Sequence, residues 1–302
     1  MKKRFLQRVL LAGVLGVLTF SASAQDAKTL EKVQNLKTPS LKNKITVYYS
    51  PGYKKRAKEI QPLIEDAMRF YEQKLNLKVD LSVAVLEKAQ WQQVTPIPYG
   101  LPWVSDAPHV AFLPATADGV VVSDTLKSKE FFTPAMLQKI KSSGFSFEQA
   151  AEKTVDLIGL HELGHTYSQQ IGIISPRPNK WFNEFMASYF AYAYLREKRP
   201  KLATLFHTMT ADMAAVTPKQ KHTTLDDFER LYVEVGPANY GWYQGKFFER
   251  VAQVYEAKGL SFIEEVRKAF PGDEKETLTI DVVLERSEKI APGFISWSKD
   301  LR

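Results

Sequence analysis

One carboxylate limits what this chain can fold into more than any other residue. Glu184 stands in "KWFNEFMASYFAYAYL", Lys180 to Leu195, among Trp181, Phe182, Phe185, Met186, Tyr189 and Phe190. The stretch has the apolar density of a helix enclosed by the core, and Glu184 is its one acidic residue. A carboxylate buried there without a partner would cost several kcal/mol, so the fold must bring a partner to it. Upstream, Gly172, Pro176 and Pro178 in "IGIISPRPN" force a reversal, and Asn179 can cap the new helix. The Glu184 helix is therefore expected to run back antiparallel to the one before it.

That preceding helix carries "LHELGHTYSQ", Leu160 to Gln169. His161 and His165 are four residues apart, which sets both imidazoles on one face about one turn apart, as two ligands of a tetrahedral zinc require. Glu162 lies about 100 degrees round the helix, able to reach a metal-bound water without binding the metal. Catalytic zinc takes three protein ligands and keeps a fourth position for water, and Glu184 is the candidate third. A second apolar row, Leu160, Leu163 and Tyr167, sandwiches the helix. Gly159 and Gly164 each cost about 1 kcal/mol relative to Ala inside a helix. Close approach by the sheet or a neighbouring helix is the expected compensation.

With 302 residues, 44% hydrophobic and 12% aromatic, the chain has ample material for a core. Its first residues run from basic (Lys2, Lys3, Arg4, Arg8) through an apolar Val9 to Phe20 to Ala22-Ser23-Ala24, the pattern of a cleaved signal peptide, residues 1–24. The apolar run is too short to span a bilayer, which takes roughly 20 residues. A bacterial periplasmic or secreted location is expected, with no membrane span after cleavage. Losing four basic and no acidic residues takes the formal charge from +7 to +3, which removes the case for a nucleic-acid partner. There is no cysteine, so any metal must be held by histidines and carboxylates.

Strands are expected at Lys44 to Ser50, Val79 to Leu86, and, as a hairpin, "HVAFLP" and "GVVVS" between His109 and Ser123. A helix is expected from Tyr53 to Asn76, and the proline-rich Thr95 to Pro108 reads as a loop whose Tyr99 and Trp103 pack on their own floor. Later helices are expected at 134–142, 147–171, 180–198, 201–216, 225–233, 240–258, 261–270 and 280–290. The class is α+β: a small mixed sheet with the active-site helix at 25–172, then an all-helical half at 173–302 that carries the third ligand.

"HELGH", followed after 18 residues by "NE" in "WFNEFMASYF", is similar to the Glu-zincin metallopeptidases, especially aminopeptidase N and leukotriene A4 hydrolase relatives. The resemblance extends from Gly159 to Phe190. It implies a zincin-like fold, His161, His165 and Glu184 as ligands of one zinc per chain, and Glu162 as general base. The family also places an oxyanion-stabilising tyrosine further on, before a helix. Here "ANYGWYQGKFFERV" offers Tyr240 and Tyr243, 56 and 59 residues after Glu184, with Tyr243 slightly preferred, although the family's Y-x-K-G is replaced by Tyr243-Gln244-Gly245-Lys246. The G-A-M-E-N strand that binds a free N-terminus in aminopeptidases is absent, so exopeptidase action does not carry over. Ser188 stands where some relatives have an aspartate supporting the first histidine, so a backbone carbonyl or Asp156 is expected to support it instead. His109, His207 and His222 have no partner pattern and read as structural or solvent-facing.

The implied function is that of an exported zinc metallopeptidase acting on a peptide or protein substrate through metal-activated water, with a strand of the expected hairpin pairing with the substrate. The alternative is a zinc-bearing, peptide-binding protein in which Glu162 is idle. Oligomeric state and endo- versus exopeptidase action are left open.

Overall fold

The computed structural model describes residues 28–170, 179–218, 220–271 and 278–301. The leader expected at 1–24 and the reversal at 171–178 lie outside the described residues. Helix α1 (Thr29–Asn35), strands β1 (Ser40–Lys42) and β2 (Thr46–Tyr49), and the long helix α2 (Lys54–Leu75) come first. Next are β3 (Ser82–Leu86), α3 (Lys88–Val94), β4 (Trp103–Val104), β5 (Val110–Pro114), α4 (Val120–Lys127), α5 (Pro134–Ser142) and α6 (Phe147–Gln170). The remainder is helical: α7 (Lys180–Lys198), α8 (Pro200–His207), a π-turn at Thr208–Asp212, α9 (Met213–Val216), α10 (Leu225–Leu231), a 3-10 turn at Tyr232–Val235, α11 (Pro237–Lys258), α12 (Ser261–Ala269), α13 (Ile280–Ile290) and α14 (Phe294–Asp300). The molecule is thus a mixed fold with one small five-stranded sheet and many helices, as the class expectation held.

The sheet order is β1-β2-β3-β5-β4, with β2, β3 and β5 parallel and the two outer strands antiparallel to their neighbours. Every residue of β5 is buried, because both faces of the sheet are covered. Ala111 and Leu113 join the large core shared with α2 and α6, while Val110 and Phe112 face a smaller cluster with Trp91 and Tyr99. Trp103 stacks on Phe112 at 4.6 Å, and Tyr99 meets the edge of Trp91. Both loop aromatics pack against their own floor, as expected. The large core continues through α7, α11 and α14, so one hydrophobic interior joins the two halves.

The expected hairpin is corrected in two places. "GVVVS" begins a helix: Gly119 is the N-cap of α4, and Val122 docks on Ala151 and Val155 of α6. Three consecutive valines favour strand only weakly, and burial against α6 decides the outcome. The sheet's edge next to α6 is instead β4, two residues inside the stretch expected to be a loop, and β5 is an interior strand. The short elements α1, β1, α3 and α14 were also not anticipated, whereas α2, α5, α6, α7, α12 and α13 lie within a residue or two of their expected bounds.

The compensation for the two glycines of α6 is visible. A methyl group built on Gly159 would lie 2.8 Å from Leu113 Cδ2 of β5, and one on Gly164 would lie 2.7 Å from the Cα of Ala187 in α7. One glycine lets the sheet approach α6 and the other lets α7 approach it. The two obstacles differ in kind, since a leucine side chain can rotate and a helix backbone cannot. Gly164→Ala is therefore expected to destabilise the protein by about 1–3 kcal/mol despite alanine's better helix propensity. Gly159→Ala should cost clearly less, and urea denaturation of the two variants side by side checks the ordering.

Candidate metal centre

The approach of α7 to α6 sets the geometry of the site. The helices run antiparallel, so His165, nearer the end of α6, meets Asn183, while His161, one turn earlier, meets Ser188. Glu184 falls between the two imidazoles. Its Oε2 lies 3.1 Å from His161 Nε2 and 3.5 Å from His165 Nε2. The two rings stand nearly perpendicular, with centroids 4.6 Å apart. His161, His165 and Glu184 each offer a ligand atom within 4.8 Å of the others, and they are the one such histidine and carboxylate group found among the described residues. All three are buried, and the set could hold a metal ion.

Both imidazoles are oriented from behind. His161 Nδ1 lies 3.0 Å from Ser188 Oγ, and His165 Nδ1 lies 3.2 Å from Asn183 Oδ1. Ser188 Oγ and Asn183 Oδ1 can each accept a proton from Nδ1, which would leave the Nε2 lone pairs for an ion at the shared centre, as metal-ligating histidines are held. This corrects the expectation that support for the first histidine must come from elsewhere, because Ser188 supplies it directly. Asp156 is occupied, with Lys153 Nζ at 2.6 Å and an ion pair to Arg56.

Glu184 is more fully satisfied than its sequence surroundings suggested. Tyr232 donates its hydroxyl to Oε1 at 2.6 Å, and Gln244 donates Nε2 to Oε2 at 2.9 Å. Neither residue was anticipated. Gln244 lies in the "YQGK" stretch that departs from the family pattern, so the signal there was the departure itself; Tyr232 had none. Tyr240 contacts the Tyr232 ring at 5.8 Å and feels the charges of both Glu184 and Glu162. Tyr243, the tyrosine first preferred, is fully buried and donates its hydroxyl to the Thr224 carbonyl at 2.7 Å. Of the two, Tyr240 is the one placed beside the centre. The remaining histidines stay outside it: His109 Nδ1 is 3.0 Å from the Ser105 carbonyl, His207 pairs with Asp212, and His222 lies near Asp227.

Asn179 occupies the N-cap position of α7, yet its side chain makes no capping bond and donates instead to the Leu278 carbonyl. The cap comes from α10, where Glu229 accepts from the Trp181 amide at 2.8 Å.

The electrostatics follow from dryness. Burial pushes the Glu162 carboxyl up to about 8; the negative charge of Glu184 adds to the rise, while His165 and the nearby Val104 amide of β4 oppose it. Burial by itself would lower His165, but the Glu184 carboxylate outweighs it and raises the imidazole to about 9. His161 is lowered, chiefly by burial. Glu184 would be raised by burial, yet the charge of His165 and hydrogen bonds from both imidazoles hold it well below the usual range. A cation at this place would displace the extra proton of His165, so metal uptake must release protons and weaken as pH falls.

Comparison of the chain with protein-family models and with curated proteins found no match. Among the described residues, no helix is long and apolar enough to cross a membrane.

Glu162 makes the folded protein's stability depend on pH in a way that can be isolated. Its ordinary value is 4.5 and its folded value about 8, so between those pH values the folded state holds a proton that the unfolded state lacks. Stability then falls as pH rises through this window and levels off above it. His165 adds a slope of the same sign from 6.5 to about 9, which Glu162→Gln keeps in reduced form because Glu184 is the larger cause of that rise and Glu162 a smaller one. In chelator-treated protein, Glu162→Gln should match wild type near pH 4.5 and exceed it in urea stability by roughly 1–4 kcal/mol near pH 8. A difference that does not change with pH would contradict the burial of that carboxyl.

Proposed function

We propose that the chain is an exported zinc-dependent metallopeptidase of Glu-zincin type, with a zincin-like fold. The reading rests on one observation, the meeting of two imidazoles and a carboxylate at the α6–α7 contact with a desolvated carboxyl, Glu162, on the adjoining position of α6. Two nitrogens and one oxygen at mutual distances under 4.8 Å suit zinc, which favours imidazole and carboxylate in catalytic sites that leave one position open. His161, His165 and Glu184 would hold it. Bound there, zinc supplies Lewis acidity and lowers the pKa of a water toward 7.

The chain's own residues supply the rest. Glu162, whose proton affinity burial has moved close to neutral pH, is suited to take a proton from the attacking water and return it to the leaving amine. Tyr240, beside Glu162 and Glu184, is the tyrosine to donate a hydrogen bond to the developing oxyanion, in place of Tyr243. Edge strand β4, whose Val104 amide is near Glu162, is the element on which an extended peptide can add as a further strand.

Protein purified without added metal is expected to contain about one zinc per chain by elemental analysis. On a broad peptide library, Glu162→Gln should keep the zinc and lose roughly 10²–10⁴ in turnover. Undiminished cleavage by that variant would remove Glu162 from the mechanism. Zinc with no cleavage by wild type would leave a zinc-bearing, peptide-binding protein.

A further inference from the structure

We propose that Tyr232 is a positioning residue that holds Glu184 to one-oxygen ligation, and that it does so from a strained backbone kept for this purpose. The inference deepens the zinc reading above and rests on it. The two oxygens of Glu184 are differently employed: Oε2 faces both imidazoles, and Oε1 takes the Tyr232 hydroxyl at 2.6 Å. For the carboxylate to chelate through both oxygens it would have to turn, and the Tyr232 hydrogen bond would be lost in turning.

A second observation comes from the backbone. Tyr232 has φ 49° and ψ −117°, where an L-residue with a bulky side chain is strained. Asn76, another residue of positive φ, has ψ 38° and is an ordinary left-handed helix cap. Tyr232 lies outside that well. A conformation of this kind persists only where its surroundings over-determine it, and such residues gather at functional sites.

Those surroundings form a clamp on the first turn of α7. Glu229, in α10, caps that turn through the Trp181 amide, and Lys180 donates Nζ to the Glu229 carbonyl while lying 5.3 Å above the Tyr232 ring. Phe228 meets the ring edge to face at 5.5 Å. Glu229 fixes the end of α10 against α7, Phe228 packs it against α11, and Tyr232, the next residue after α10, makes the sharp backbone excursion that carries its hydroxyl onto Glu184. A relaxed turn at this point would send the side chain elsewhere.

Tyr232→Phe keeps the ring and its contacts and removes only the hydroxyl. Its zinc Kd, measured by competition with a chelating dye, should rise about tenfold or more, the usual effect of removing a group that orients a ligand. Loaded with Co²⁺, wild type should show the intense visible absorption of a four-coordinate ion, and Tyr232→Phe a weaker band as the freed Oε1 joins the coordination shell. X-ray absorption of zinc-loaded wild type provides a test without any variant: one carboxylate oxygen at about 2.0 Å agrees with the proposal, and two-oxygen chelation overturns it. If wild type binds metal and Tyr232→Phe matches it in both Kd and cobalt spectrum, the role of Tyr232 is overturned while the zinc centre stands. If wild type takes up neither Zn²⁺ nor Co²⁺, the zinc reading fails and this inference fails with it.

Discussion

The rest of the centre depends on a buried carboxylate lying within hydrogen-bond distance of two imidazoles on another helix. Glu184 is about 1% exposed, and a helix as apolar as α7 gives it no solvent to fall back on. The pairing therefore has to be made by the approach of α6, and that approach is set where Gly164 meets the Ala187 backbone. Any side chain at 164 would wedge the two helices apart at the level where Glu184, Ser188 and Asn183 reach the histidines. Packing and chemistry share one contact, so the stability of the α6–α7 pair and the geometry of the ligand set cannot vary independently.

Such an arrangement is demanding because it is dry. In a low dielectric each satisfied hydrogen bond is stronger and each missing one more expensive, so partial networks are worse than none. Here both oxygens of Glu184 and both Nδ1 atoms have partners. The partners come from three places in the chain: α7 itself, the turn after α10, and α11. Their common support is aromatic, with Phe228 touching Tyr232, Tyr240, Tyr243 and Phe247 in one cluster. The helical half thus does more than cover Glu184. It brings the donors that let an ionised carboxylate remain where it is.

Sequence periodicity located the long helices closely, because α2, α6 and α7 each repeat their apolar residues over five turns or more and no competing pattern fits. The meeting of His161, His165 and Glu184 was legible for a related reason. Four-residue spacing inside a helix has one geometric meaning, and a lone Glu among aromatics demands a partner. Short elements were not legible: Val120 to Val122 suit a strand as well as a helix until α6 is there to receive Val122, and a two-residue edge strand leaves no period to find. Tyr232 was hidden for a different reason. What makes it matter is a backbone excursion at the end of α10, and no residue type announces a tyrosine held at positive φ. The support from Ser188 depends on distance: a hydroxyl 3.0 Å from His161 Nδ1 serves where some similar proteins have an aspartate, and sequence does not report that distance.

The residual exposure of the site shows where it opens. His161, Glu162 and His165 keep 8%, 8% and 9% exposure while Glu184 and Ser188 keep 1% and 2%, so the centre is sealed on the α7 side and reaches solvent over α6. Over α6 lies β4, whose Val104 amide is near Glu162, and the half-buried Tyr232 and Tyr240 stand beside Glu184. The surroundings of the centre thus include a sheet edge and a pair of phenols. A backbone edge reads amides without regard to side chains. If an extended peptide adds to β4 as proposed, selectivity has to come from the side chains that rim the opening beyond that strand.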